Sequence, residues 1–212
     1  MPLQNRVDPY GHIHADAARG LFFGNRGGRF HRPDKTLTSR RWANRAWISC
    51  VLEFKQRQRQ VMSPGSYTEL FFLDEVTALS AGHRPCFECR YKRANEFLRL
   101  YATSRGEKQR PYAGEFDKIA HAARLNGRKK RTYSASISSL PNGTMIVHEG
   151  TPHAVYEENL LAWSFSGYTT AEHRPHSGRV EVLTPEPFVE ILTAGYEPVF
   201  HPSAGICSAK TY

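Results

Sequence analysis

Cysteine is scarce in this chain: four residues of 212, at positions 50, 86, 89 and 207. They are too few and too unevenly spaced for the disulfide framework of a small secreted domain. No apolar run reaches the length of about 18 residues that a membrane-spanning helix needs. The N-terminus lacks the basic-then-apolar layout of a secretory signal. A soluble, cytoplasmic protein is therefore expected. No segment recurs at the periods of about 20–50 residues that mark solenoids, which excludes a repeat architecture. Acidic residues are sparse over the first two thirds. Residues 1–135 hold 26 Lys and Arg against 12 Asp and Glu, a balance of +14, whereas residues 136–212 hold 3 against 8, a balance of −5.

An apolar content of 40% is enough for a core, built as one large domain or two small ones. The shift in charge divides the chain into a basic region, 1–135, an acidic and β-rich region, 136–204, and a tail, 205–212. The tail is expected to be disordered, with Cys207 as a spare thiol. A basic region of this size attracts a polyanion, most often nucleic acid. The competing reading is a surface whose charges only solubilise it.

The most informative stretch is Tyr67 to Arg90, YTELFFLDEVTALSAGHRPCFECR. Tyr67 to Leu73 has the aromatic and apolar composition of a part-buried strand. Asp74 can cap a following helix, and Gly82 stands where the helix needs a left-handed residue to stop. Cys86 and Cys89 come next, two residues apart behind Pro85. That spacing turns both sulfurs toward one point and is the usual half of a tetrahedral zinc site. Cys50 is the next candidate ligand. Its alternative is ordinary core packing, since its strand face is otherwise apolar. Pro-Cys-x-x-Cys is also half of the zinc-deaminase signature. That signature needs an upstream His-x-Glu or Cys-x-Glu, and Glu53 lies three residues after Cys50, on the opposite strand face.

The run FFLDEVTALSAGHRPCFEC resembles the second half of the metal-binding domain of Ada-type DNA alkylation-repair proteins. There a phenylalanine pair, a short alanine-rich helix and a Gly-x-Arg-Pro-Cys-x-x-Cys run precede a basic helix. The resemblance covers about an eighth of the chain and implies a metal knuckle associated with nucleic acid. FHRPDK, residues 30–35, is similar to the His-x-x-x-Cys opening of nuclease-associated knuckles, with Lys35 in the cysteine's place. This similarity offers His31 as the fourth ligand. His83, three residues before Cys86, is the alternative.

Residues 1–20 read as a loose lead-in. Gly24, Gly27 and Gly28 surround Arg26 and Arg29, a pattern suited to close approach by phosphate, or else a plain glycine-rich turn. It is not a P-loop, because no Gly-Lys-Ser/Thr ends it. Residues 36–46 form a basic loop or short helix around Trp42. Trp47 to Phe54 alternates as a strand. Polar residues 55–60 and the Ser63-Pro64-Gly65 turn are expected to close a hairpin onto the Tyr67 strand. Arg90 to Ala102 carries one apolar helical stripe. Phe116 to Leu125 is a second helix, with Asp117, His121 and Arg124 on one face, followed by Arg128, Lys129, Lys130 and Arg131. Strands are expected at 144–147, 153–156 and 179–183, and a helix at 186–194.

These elements predict an α+β fold: a small antiparallel sheet with the knuckle, two or three helices, and a β-rich C-terminal portion. The leading expectation is a zinc-stabilised protein that binds nucleic acid, DNA before RNA. Arg26, Arg29, Arg84, Arg90, Arg93 and the 128–131 run would contact phosphates. A second expectation is a nuclease or other hydrolase, with Asp117 and His121 as orienter and base, unless they only form a solvated helix face. A third is a metal-free structural or interaction protein.

Overall fold

The computed structural model describes residues 1–57 and 60–208. The N-terminal sheet contains β1 (Gln4–Val7), β2 (Ile13–Ala15), β3 (Phe22–Arg26), β4 (Trp47–Val51), β5 (Leu70–Phe72) and β6 (Arg84–Pro85), in the order β2-β1-β5-β3-β4-β6. Helices α1 (Glu75–Ser80), α2 (Tyr91–Ser104) and α3 (Ala113–Arg124) follow, and then a two-stranded pair of β7 (Leu125–Asn126) and β8 (Lys129–Lys130). The second sheet is antiparallel throughout. It holds β9 (Tyr133–Ser136), β10 (Met145–His148), β11 (Thr151–Tyr156), β12 (Asn159–Ser164), β13 (Gly167–His173) and β14 (Arg179–Val182), in the order β13-β12-β11-β10-β14-β9. Helices α4 (Glu186–Thr193) and α5 (Ser203–Ser208) end the described chain. Among the described residues no helix is long and apolar enough to cross a membrane.

The sequence dictates the central strands. β3 and β4 pair with Phe23 opposite Cys50 and Arg26 opposite Trp47. Successive side chains on a strand face opposite ways, so Phe23 and Cys50 share one face of the sheet while Arg26 and Trp47 share the other. Gly24 lets the two strands approach, since a Cβ there would lie 2.0 Å from the Ile48 carbonyl oxygen.

Helix α1 is tied at both ends. The Asp74 carboxylate accepts from the Thr77 N–H at 2.8 Å and caps the first turn. Gly82, at φ +82°, follows its C-terminus. Asp74 is fully buried and also accepts from the Tyr168 hydroxyl at 2.7 Å and the His201 N–H at 3.0 Å. Its neighbour Glu75 accepts from Arg90, from the Tyr196 hydroxyl at 2.6 Å and from the Val199 N–H at 3.1 Å. Two acidic side chains of the basic region thus anchor the acidic region. Apolar packing does the same. One core joins Leu79, Phe97, Leu98 and Phe116 to Phe188, Ile191 and Tyr196, and another joins Leu73 and Val76 to Met145, Leu161 and Tyr168. The change of charge at residue 135 is therefore not a break in packing.

Five expectations are corrected. The N-terminal sheet is mixed rather than antiparallel, because β1 pairs with β5 and β4 with β6 in parallel. Residues 1–20 are not loose, because β1 adds to β5 in parallel and β2 adds to β1. The hairpin joining the Trp47 and Tyr67 strands is not formed: β3 lies between β4 and β5 and pairs with both. The Trp47 strand stops at Val51. The tail is helical through Ser208, with Cys207 buried and its Sγ 3.0 Å from the Tyr168 carbonyl oxygen. Gln58 and Arg59 of the expected polar arm, and residues 209–212 of the tail, lie outside the described residues.

Candidate functional site: a thiol cluster and a cationic pocket on opposite faces of β4

Cys50 comes from β4, and Cys86 and Cys89 from the turn between β6 and α2. Their sulfurs all lie within 4.8 Å of one another, and the three together can hold a metal ion. Sulfurs bound to one tetrahedral ion at about 2.3 Å stand roughly 3.8 Å apart, so small side-chain rotations close the set. The Glu88 N–H donates to Cys86 Sγ at 3.3 Å, which favours the thiolate. Hydrogen bonds from Cys50 and then Cys89 pull Cys86 well below the ordinary thiol range, and the bond shared with Cys86 pushes Cys50 up. A bound cation would hold all three as thiolates. Phe23, Ile48, Tyr67 and Phe71 shield the cluster. Among the described residues no further His, Cys, Asp or Glu joins the group.

His31 does not reach it. Its Nδ1 pairs with Thr68 Oγ1 at 2.8 Å and its Nε2 with the Ser63 carbonyl at 3.3 Å, both inside the N-terminal core. His83, the alternative ligand, lies on the other face of the sheet against Trp47 and Phe72.

That other face is the second centre. The guanidinium groups of Arg26 and Arg124 lie over the Trp47 ring, 4.0 and 3.9 Å from its centroid. Both arginines are buried, at 2% and 1% exposure. Arg26 donates to His83 Nε2 at 3.2 Å and to the Gly11 carbonyl at 2.8 Å. Arg124 donates to the carbonyls of Gly82 at 2.7 Å and Arg45 at 2.6 Å. Gly82 makes room for it, since a Cβ there would stand 2.5 Å from Arg124 Cδ. Lys130, on β8, sends its ammonium inward to the Ser80 carbonyl. Desolvation, ahead of repulsion by Arg26 and Arg124, brings Lys130 down to about 7, and desolvation lowers Arg26 to about 9. These cations line a partly open cavity of about 180 Å³, together with Trp42, Trp47, Tyr10, Gly11 and Ile13.

The structure sorts the remaining candidates into two groups. Arg84 grips Asp117 with two bonds of 2.8 Å, and both side chains are buried. Arg90 pairs with Glu75 at 2.6 Å and bonds Ser49 Oγ at 3.0 Å. Arg93 sits 2.8 Å from Glu96 and 3.7 Å from Glu75, over the Tyr196 ring. These three arginines, expected at phosphates, serve internal carboxylates, because a buried carboxylate needs a cation partner. Asp117 and His121 do not form an orienter–base pair: Asp117 is held by Arg84, and His121 Nδ1 faces Arg124 at 2.9 Å. Desolvation, then Arg124 and Arg45, lowers His121. Arg29, Arg128, Lys129 and Arg131 are exposed.

Sequence reasoning missed a further cluster, Asp8, His12 and His14, whose ligand atoms also lie within 4.8 Å of one another. The signal was there: a His-x-His step on an extended chain puts both rings on one side. Nothing comparable announces the cavity, because Gly11, Arg26, Trp47, Arg124 and Lys130 meet only through the tertiary fold. Comparison with protein-family models, curated proteins and solved structures gives no match.

Proposed function

We propose that this protein binds nucleic acid on the face where its basic loops converge, and that zinc on Cys50, Cys86 and Cys89 braces the sheet behind that face. One observation carries the reading. Residues 39–45 and 124–131 are far apart in the chain, yet Arg128 donates to the Ser39 carbonyl and Arg124 to the Arg45 carbonyl. Arg40, Arg41, Trp42 and Arg128 therefore border one surface depression beside the cavity. Exposed arginines around a tryptophan suit a phosphate backbone with a base stacked on the ring. Zinc suits three cysteine ligands, since soft thiolates select it over hard cations. Its role here is to hold the knuckle closed.

The test is a fluorescence-anisotropy titration of full-length protein against short DNA and RNA at several salt concentrations. Binding that displaces counterions weakens steeply with salt. The combined variant Arg40→Ala, Arg41→Ala and Arg128→Ala should flatten the slope by about one unit for each phosphate no longer neutralised. No binding to either polymer at low salt defeats the reading.

A further inference from the structure

We propose that the cavity behind Trp47 receives a terminal phosphate monoester, the end of a nucleic-acid strand, between Arg26, Arg124 and Lys130. The strand part of this inference rests on the nucleic-acid reading above, and the phosphate part does not.

The charges are the first reason. A buried charge is normally paired with an opposite one. Among the described residues, none of Arg26, Arg124 and Lys130 has a carboxylate within ion-pair distance. The carboxylates that act on them, Asp8 and Asp117, do so from farther away, and both are engaged elsewhere. Asp8 accepts from the His12 N–H at 2.9 Å and faces His14 Nε2 at 2.8 Å, and Asp117 belongs to Arg84. The fold thus gathers three cations and leaves their compensation to a ligand. A phosphate monoester carries about −1.5 to −2 at neutral pH, whereas a carboxylate or an internal phosphodiester brings a single charge.

The donors are the second reason. Each guanidinium offers five N–H groups in a planar fork that matches phosphate oxygens. Arg124 meets two carbonyls and the His121 nitrogen, while its buried Nε has no hydrogen-bond partner among the described residues. Shape is the third reason. The cavity of about 180 Å³ holds several waters or one phosphate group, a volume that suits the end of a chain better than a chain running through. Trp42, partly exposed and 5.9 Å from Trp47, stands where the terminal base would stack, with Arg41 and Arg128 beside it for the next phosphate.

The experiment measures anisotropy of one short single strand in three forms: 5′-phosphorylated, 3′-phosphorylated and hydroxyl-ended. A nucleoside monophosphate and inorganic phosphate serve as competitors and as thermal-shift ligands. One phosphorylated form should bind at least about tenfold tighter than the hydroxyl form, the effect of one well-placed charged hydrogen bond. In Lys130→Met that ratio should fall toward unity. If Lys130→Met does not fold, competition decides: the nucleoside monophosphate should erase the preference in the wild-type protein. Equal binding of all three strands, with no thermal shift from either competitor, overturns the proposal while leaving nucleic-acid binding intact. A thermal shift from the monophosphate without binding of any strand keeps the phosphate site and overturns the strand reading.

Discussion

At the scale of single residues, His83 shows how burial among cations fixes a protonation state. It is completely buried, and its Nε2 accepts from Arg26. Desolvation, then Arg26 and Arg124, lowers its pKa well below the usual imidazole range. Its other neighbours are the Trp47 and Phe72 rings, with Lys130 adding repulsion. Below about pH 6.5 the unfolded chain takes up a proton that the folded one refuses, so stability is lost as pH falls, by up to about 1.4 kcal/mol per unit. Denaturation midpoints at pH 7.5 and 5.5 should therefore drop further for wild type than for His83→Phe; parallel drops would refute the assignment. Cys86 gives the second residue-scale prediction. Cys86→Ser should abolish retention of zinc by purified protein, as read by elemental analysis, and lower the melting temperature, because the site forms only in the folded chain. Cys50→Ser should do the same. Retention of one zinc in Cys50→Ser would make Cys50 a core residue.

At the scale of elements, β4 and α1 do the organising, and they show what was readable in advance. The α1 cap and stop were legible because they are local: Asp74, three residues before Thr77, and Gly82 just past the last turn. The face alternation in β4, which puts Cys50 on one side with Ile48, was legible for the same reason, whereas the pairing with β3 that sets Cys50 beside Phe23 was not. What escaped was pairing over distance. The Arg84–Asp117 bridge spans 33 residues and Tyr196–Glu75 spans 121, and no periodicity encodes either. Arginines that looked free in the sequence are therefore internal partners. The same long reach makes α1 vulnerable. Removing the Asp74 carboxylate frees the first turn of the helix, the Tyr168 hydroxyl and the His201 N–H together. Asp74→Ala should cost about 3 kcal/mol or more, from the missing cap and the buried groups left unsatisfied. Urea denaturation measures this, and a loss under about 1 kcal/mol would limit the carboxylate to capping.

At the scale of the whole molecule, charge and packing divide the chain differently. By charge there are two regions, with +14 before residue 136 and −5 from there on. By packing there is one body, since α4 and the Tyr196 ring complete the core of α2 and α3, while β10, β12 and β13 cover Leu73 and Val76 of the N-terminal region. A fragment of residues 136–212 keeps β10 to β14 but loses the edge strand β9 and these partners. It would expose Phe188, Ile191, Leu192, Met145 and Leu161, and each large apolar side chain left in water forgoes about 1.5–3 kcal/mol. Together these side chains outweigh the lower end of the whole stability of a typical domain, about 5–15 kcal/mol. The fragment should be unfolded or aggregated, with no cooperative thermal transition by circular dichroism. Adding the separately expressed residues 1–135 should restore β structure if the two cores drive assembly. A fragment that melts cooperatively by itself would show that the second sheet folds independently, and that the Asp74 and Glu75 anchors join two preformed units.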